Sequence, residues 1–126
     1  MNRRLLGRAG EWVALVWLIL HGYRLRDHNW RGAGGELDLV MEQSGEIVFV
    51  EVKTRTGDDF GGPEGAVNKK KRENLIRTAS TYLGRYTLWE QPCRFDVVAL
   101  RRRGRLPIFS VRHMKNAFRP DLGRRM

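Results

Sequence analysis

Glu36-Leu37-Asp38-Leu39-Val40-Met41-Glu42-Gln43-Ser44-Gly45-Glu46-Ile47-Val48-Phe49-Val50-Glu51-Val52-Lys53-Thr54-Arg55 is the stretch that decides how this chain folds. Two runs rich in β-branched and apolar residues, 36–43 and 46–55, flank a Ser-Gly pair, which is the signal of a β-hairpin. Ile47 to Val50 is apolar on both faces, so the second run predicts a central strand covered on each side.

Centring the turn between Ser44 and Gly45 pairs Gln43 with Glu46, Met41 with Val48, Asp38 with Glu51 and Glu36 with Lys53. Side chains alternate with a period of two, so these four charged residues share one face. Opposed residues hold their Cβ atoms roughly 4.5–5.5 Å apart, and a like-charge pair there is destabilising unless something compensates. A divalent cation would do so. Mg²⁺ (or Mn²⁺) prefers one or two carboxylates, with water and a substrate phosphate filling its other positions. Lys53 would then place a positive charge beside a reacting phosphate, and a cleaved phosphodiester is the product such a set implies. The plainer alternative pairs Glu36 with Lys53 and leaves Asp38 and Glu51 solvated on an open sheet face. Against it, a strand as apolar as Ile47 to Val52 belongs in a core, where ionised carboxylates are costly without partners.

Outward from the hairpin, Arg8 to Leu20 reads as a helix that is apolar nearly all round, hence buried on most sides or partly covered by a second subunit. Tyr23 to Trp30 reads as a short strand, and Gly32-Ala33-Gly34-Gly35 as a turn that lacks the phosphate-loop pattern. Thr56 to Gly65 is a loop, and 68–85 a helix with Leu75, Ala79, Tyr82 and Leu83 on its inward stripe. Arg94 to Leu100 and Leu106 to Val111 follow as strands, and His113 to Phe118 as a short helix. The sum is an α/β domain with a mixed central sheet flanked by helices. It covers 1–119, with a loose basic tail over 120–126.

The 126 residues carry 24 Lys and Arg against 14 Asp and Glu, a net charge of +10. Residues 1–63 are net −1 and 64–126 net +11 by count of the same sequence. The basic excess therefore lies beside the carboxylate-bearing half, which suits a grip on a polyanion and equally a solubilising surface. Cys93 is the single cysteine. It excludes an internal disulfide, and with His21, His28 and His113 it assembles no zinc spacing, so a cytoplasmic setting is expected. The apolar run from Trp12 to Leu20 is about half the ~20 residues that span a membrane, and His21-Gly22-Tyr23-Arg24 is no signal-peptidase site.

Gly10-Glu11, Gly35-Glu36-Leu37-Asp38-Leu39-Val40, Val48-Phe49-Val50-Glu51-Val52-Lys53-Thr54-Arg55, Phe60-Gly61 and Arg94-Phe95-Asp96-Val97-Val98 resemble the YraN family of small bacterial proteins. That family is similar to archaeal Holliday junction resolvases of the PD-(D/E)XK nuclease superfamily. The resemblance covers roughly residues 8–112 and implies a restriction-endonuclease-like fold of the resolvase type, with Asp38, Glu51 and Lys53 catalytic and a metal on Asp38 and Glu51. Glu11 matches the first-helix glutamate that joins the metal cluster in resolvase-like members. Read alone, it is a helix N-terminal carboxylate that interacts favourably with the dipole. Leu37 stands where the superfamily usually has proline.

Lys71 falls on the inward stripe of its helix and is an auxiliary candidate; alternatively its stem packs while the ammonium reaches water. Arg55, Lys69, Lys70 and Arg72 are candidate phosphate contacts, and Arg101-Arg102-Arg103 a general basic patch. Trp30 and Trp89 either stack on unpaired bases or serve the core. The expected activity is a Mg²⁺-dependent endonuclease hydrolysing phosphodiesters in DNA, branched or junction DNA included, with a homodimer allowed by the apolar first helix. The competing classes are a non-catalytic nucleic-acid-binding or adaptor protein that keeps the fold, and a weak enzyme active only with a partner.

Overall fold

The hairpin forms in the predicted register from Gln43↔Glu46 to Leu39↔Val50 and stands in the middle of the fold. A computed structural model of the chain describes residues 3–56, 68–104 and 108–118. The elements run α1 (Arg3–Leu20), β1 (Arg24–Gly32), β2 (Gly35–Gln43), β3 (Glu46–Thr56), α2 (Lys69–Arg85), β4 (Cys93–Arg103) and β5 (Ile108–Phe118). They make one five-stranded sheet in the order β1-β2-β3-β4-β5. β3 and β4 are parallel, joined through α2, and the other neighbours are antiparallel. The result is a mixed sheet of the α/β class. The loop at 57–65, with Phe60-Gly61, and the tail at 120–126 lie outside the described residues.

β3 is central and covered on both faces. Val48, Val50 and Val52 pack with Leu39, Met41, Val98 and Leu100 under Ala14, Leu15 and Leu18 of α1. Ile47 and Phe49 pack with Leu37, Val40, Phe95 and Val97 under Leu75, Ala79, Tyr82 and Leu83 of α2. Gly10 lets α1 approach β3 closely: a Cβ there would lie 2.2 Å from Thr54 Oγ1. That contact fixes where Glu11 sits.

Two expectations need correction. α1 is not buried on most sides: among the described residues it is covered along one face, and Trp12, Val16, Ile19 and Leu20 are exposed, because the sheet lies on one side of it only. Among the described residues no helix is long and apolar enough to cross a membrane. The second correction concerns His113 to Phe118, which continue β5 as strand instead of forming a short helix. The cause is Asp96. Its carboxylate accepts from the Asn116 N–H at 2.9 Å and lies 2.8 Å from His113 Nε2, holding the segment on β4 through a break in register between Phe95 and Val97. Asn116 takes φ +54° there, and the irregularity breaks the alternation by which a strand is read.

Asp96 is also the centre of a buried polar network. Arg94 donates through Nε to Asp96 at 3.0 Å and through Nη2 to the Tyr23 hydroxyl at 2.8 Å and to Gln43 at 3.0 Å, and it pairs with Glu46. Burial alone would raise the Asp96 pKa, but hydrogen bonds from His113, Arg94 and the Asn116 N–H outweigh it and hold the carboxyl below its ordinary value. The stability it lends is present at neutral pH and is lost as pH falls through the carboxylate range. Asp96→Ala would leave the Arg94 guanidinium buried without its main counter-charge, and a loss of about 3–5 kcal/mol is expected. Urea unfolding of the variant reads it, and a loss below about 1 kcal/mol would reduce the network to surface-pair standing.

Candidate active site

The ladder between β2 and β3 runs from Gln43↔Glu46 to Leu39↔Val50 and stops there. Beyond it the register prediction fails in an informative way. Asp38 does not pair across to Glu51; its Oδ2 instead accepts the Val52 N–H at 2.8 Å. A side chain thus replaces the strand backbone as acceptor, and the strands part around it. On the other side, β1 pairs His28 with Leu39 and Trp30 with Leu37, leaving Asn29 between them at φ +48°. Asp38 therefore occupies a local irregularity between two ladders. The predicted Glu36–Lys53 pair is absent, because Glu36 turns to Arg31 at 3.6 Å.

Glu51 lies on the α2 side of β3 and is 5% exposed. Its Oε2 is met by Lys71 Nζ at 3.2 Å and by Lys53 Nζ at 3.7 Å. Lys71 reaches it because Asn68 caps α2, accepting the Lys71 N–H at 2.8 Å, and fixes the first turn over the site. The inward reading of Lys71 thus holds. Burial, and then the neighbouring charge of Glu51, push the Asp38 carboxyl up to about 8; Glu11 adds to the rise, while the Val52 N–H and Lys71 oppose it. Glu11 accordingly stands close enough for its charge to act on Asp38, although its Oε1 accepts the Asn29 side-chain N–H at 3.0 Å.

These placements bring Asp38, Glu51, Lys53, Lys71 and Glu11 to one end of the β2–β3 pair. The donor set suits a hard cation that keeps water and phosphate in its remaining positions. Among the described residues no three His, Cys, Asp or Glu side chains converge as a ready-made metal cage. Of the outlying cations, Lys69 and Lys70 are exposed on the first turn of α2. That turn carries no acidic residue, so its lysines face the helix dipole unfavourably. Arg55 donates to the Thr54 carbonyl at 3.3 Å, and Arg72 lies 5.9 Å from the Phe118 ring, away from Glu51. Arg101 and Arg102 are half-buried in β4.

Trp30 is half-buried and packs against the α2-side core: its Nε1 donates to the Tyr86 hydroxyl at 3.3 Å and its ring stands edge-on to Tyr82 at 5.1 Å. Trp89 is half-exposed and its ring lies by Gly84. The sequence reading passed over Trp12 and Asn29. The signal for Trp12 was its place next to Glu11; nothing local announced the left-handed Asn29.

Residues 10–100 match the uncharacterised protein family UPF0102. A UPF0102 protein of Bacteroides fragilis is 40% identical over 121 residues, covering 96% of this chain and 98% of the relative. One from Moorella thermoacetica is 42% identical over 118 residues, covering 94% and 98%, and one from Symbiobacterium thermophilum 48% over 98 residues, covering 78% and 82%. The match spans the motifs that carry the YraN resemblance and bears it out. Among solved structures, Pyrococcus furiosus SfsA in complex with Ca²⁺ is similar at a TM-score of 0.39 and 16% identity. The alignment covers 90% of this chain and only 64% of that one.

The raised Asp38 carboxyl ties stability to pH. The folded state holds its proton more tightly than the unfolded state, so the contribution is full below about 4 and is lost as pH rises through about 8. Each pKa step of one is worth ~1.4 kcal/mol, and water at a half-buried carboxylate screens part of it. Asp38→Asn, which cannot ionise, is expected to be more stable than the wild type by about 2 kcal/mol at pH 9 and nearly equal to it at pH 4. Denaturant unfolding at both pH values checks this; equal stability at pH 9 would mean that burial and Glu51 together do not raise the Asp38 carboxyl.

Proposed function

The chain belongs to the UPF0102 family, and from that membership and the pairing of its carboxylates we propose that it is a divalent-metal-dependent endonuclease of restriction-endonuclease-like fold, acting on DNA. One observation carries the reading: Asp38 and the buried Glu51 are held together although their charges oppose each other, with Lys53 and Lys71 on the same carboxylate. A core strand gains no stability from such a set, whereas a hydrolytic site gains its chemistry from it.

Asp38 and Glu51 are the residues that would hold Mg²⁺ or Mn²⁺, with Glu11 as auxiliary. Bound there, the cation supplies positive charge for a phosphate oxygen and acidifies water. The protein's own part begins with Asp38, which must lose its proton before it can act as a ligand. Its backbone bond from Val52 keeps the carboxylate aimed while it does so. Lys53, anchored on Glu51, presents an ammonium to the negative charge that grows on the phosphoryl group in the transition state. Lys71, on the same Glu51 oxygen, gives that buried carboxylate a second cationic partner. Arg55, Lys69 and Lys70 hold the DNA backbone, setting position and not sequence.

The two lysines on Glu51 also favour a second reading, because they satisfy that carboxylate without any metal. Under it the chain is a nucleic-acid-binding or adaptor protein that retains the fold and the basic half.

Calorimetric titration of Mg²⁺ or Mn²⁺, with cleavage assays on branched, flapped and linear DNA, separates the two. For the endonuclease, wild type binds metal and cuts, and Asp38→Asn loses cutting by about a hundredfold or more while still binding DNA. Metal affinity should rise with pH up to about 8, as the Asp38 proton ceases to compete. A wild type that holds DNA salt-dependently but neither binds metal nor cuts would establish the adaptor.

A further inference from the structure

Beside the carboxylates lies a cleft of about 210 Å³, walled by Arg8, Glu11 and Trp12 of α1, His28 and Asn29 of β1 and Leu39 of β2. It adjoins the site directly, since Leu39 follows Asp38 and Asn29 holds the Glu11 carboxylate that acts on Asp38. Pockets that enclose drug-sized molecules run to ~300–1,000 Å³, so this one suits a single flat ring system.

Its walls are of two kinds. Trp12 is 63% exposed, and its ring lies 6.5 Å from the His28 ring at an interplanar angle of 42°. Two aromatic groups thus open toward solvent at one mouth. At the same mouth, the Asn29 amide donates to Glu11 at 3.0 Å, and His28 Nδ1 lies 3.4 Å from Asn29 Oδ1. Arg8 is exposed at the rim. An apolar peptide laid over the cleft would cover the Glu11 carboxylate and the Asn29 amide without offering either a further polar partner, which is costly. A nucleobase has a π face for the indole and an edge of donors and acceptors for the pair beneath it, and a glutamate accepts well from an exocyclic amino group.

We propose that this cleft binds one unpaired nucleobase of the DNA whose backbone lies at the Asp38–Glu51 site. Trp12 is the stacking face, Glu11 and Asn29 meet the base edge, and Arg8 meets a neighbouring phosphate. The proposal rests on the nuclease reading of that site and sharpens its substrate class. DNA with a free nucleotide beside the cut, as in a flap, gap or bulge, is preferred over continuous duplex, from which a base must first be unstacked.

The test places 2-aminopurine at the unpaired position beside the branch of a flapped duplex, in EDTA so that nothing is cut. Wild type, Trp12→Ala and Trp12→Phe are compared on this DNA and on the matching continuous duplex, with circular dichroism as the check on folding. The wild type should quench the probe and bind the flap about tenfold tighter than the duplex. Trp12→Ala should lose the quenching and the preference while binding duplex as before, and Trp12→Phe should keep most of both. Equal weakening on both DNAs, or a flap preference that survives Trp12→Ala, overturns the slot. So does a concentration-dependent dimer that Trp12→Ala abolishes, which would assign the indole to a second copy of the chain. Because no cleavage enters these readings, a wild type that quenches as expected yet cuts nothing in Mg²⁺ would remove the nuclease reading alone.

Discussion

A strand covered on both faces has no water to offer the charged residues at its end, and β3 is such a strand. Val48 and Val50 are committed to the α1 side and Ile47 and Phe49 to the α2 side, so Glu51, the next residue, is carried into the interior by the register itself. The remaining features of the site are responses to that burial. Lys53 and Lys71 converge on the carboxylate, α2 is capped where its first turn can deliver Lys71, and Asp38 is left with a neighbour of its own sign. Moving any one of these without the others would leave a buried charge unpaired, a far larger cost than a surface ion pair returns.

The fold was readable because the hairpin combines a turn dipeptide with an apolar run on each side, two signals that are local and agree. The alternation along β3 put Glu51 and Lys53 on one face, where the structure pairs them, and helical periodicity put Lys71 on the inward face. The register, however, set Asp38 directly opposite Glu51, where it does not sit. What could not be read was geometry set by side chains distant in sequence. The ladder ends at Leu39↔Val50 because the Asp38 carboxylate takes the Val52 N–H, so Glu36 never reaches Lys53. Likewise β5 runs through His113 and Asn116 because Asp96, on the neighbouring strand, binds both. A single-chain pattern contains no term for either. The apolar outer face of α1 divides the two alternatives its composition allowed: the described residues of one chain do not bury it on most sides, and cover by a second subunit is a matter of assembly that periodicity does not encode.

Two desolvated aspartates, Asp96 buried and Asp38 half-buried, show what the protein does with equal chemistry in different company. Asp96 receives a guanidinium, an imidazole and a backbone N–H, and its carboxyl is held below the ordinary value. Asp38 receives one backbone N–H and two neighbouring glutamates, and is pushed up to about 8. Both cost desolvation, and only the first is compensated within the chain. Interiors usually satisfy their buried polar groups, and Arg94 shows that this fold can supply a buried cation where it needs one. On the proposed reading, the charge that Asp38 lacks is supplied by a bound cation, and Asp38 stands beside Glu11 and beside Glu51 with its two lysines.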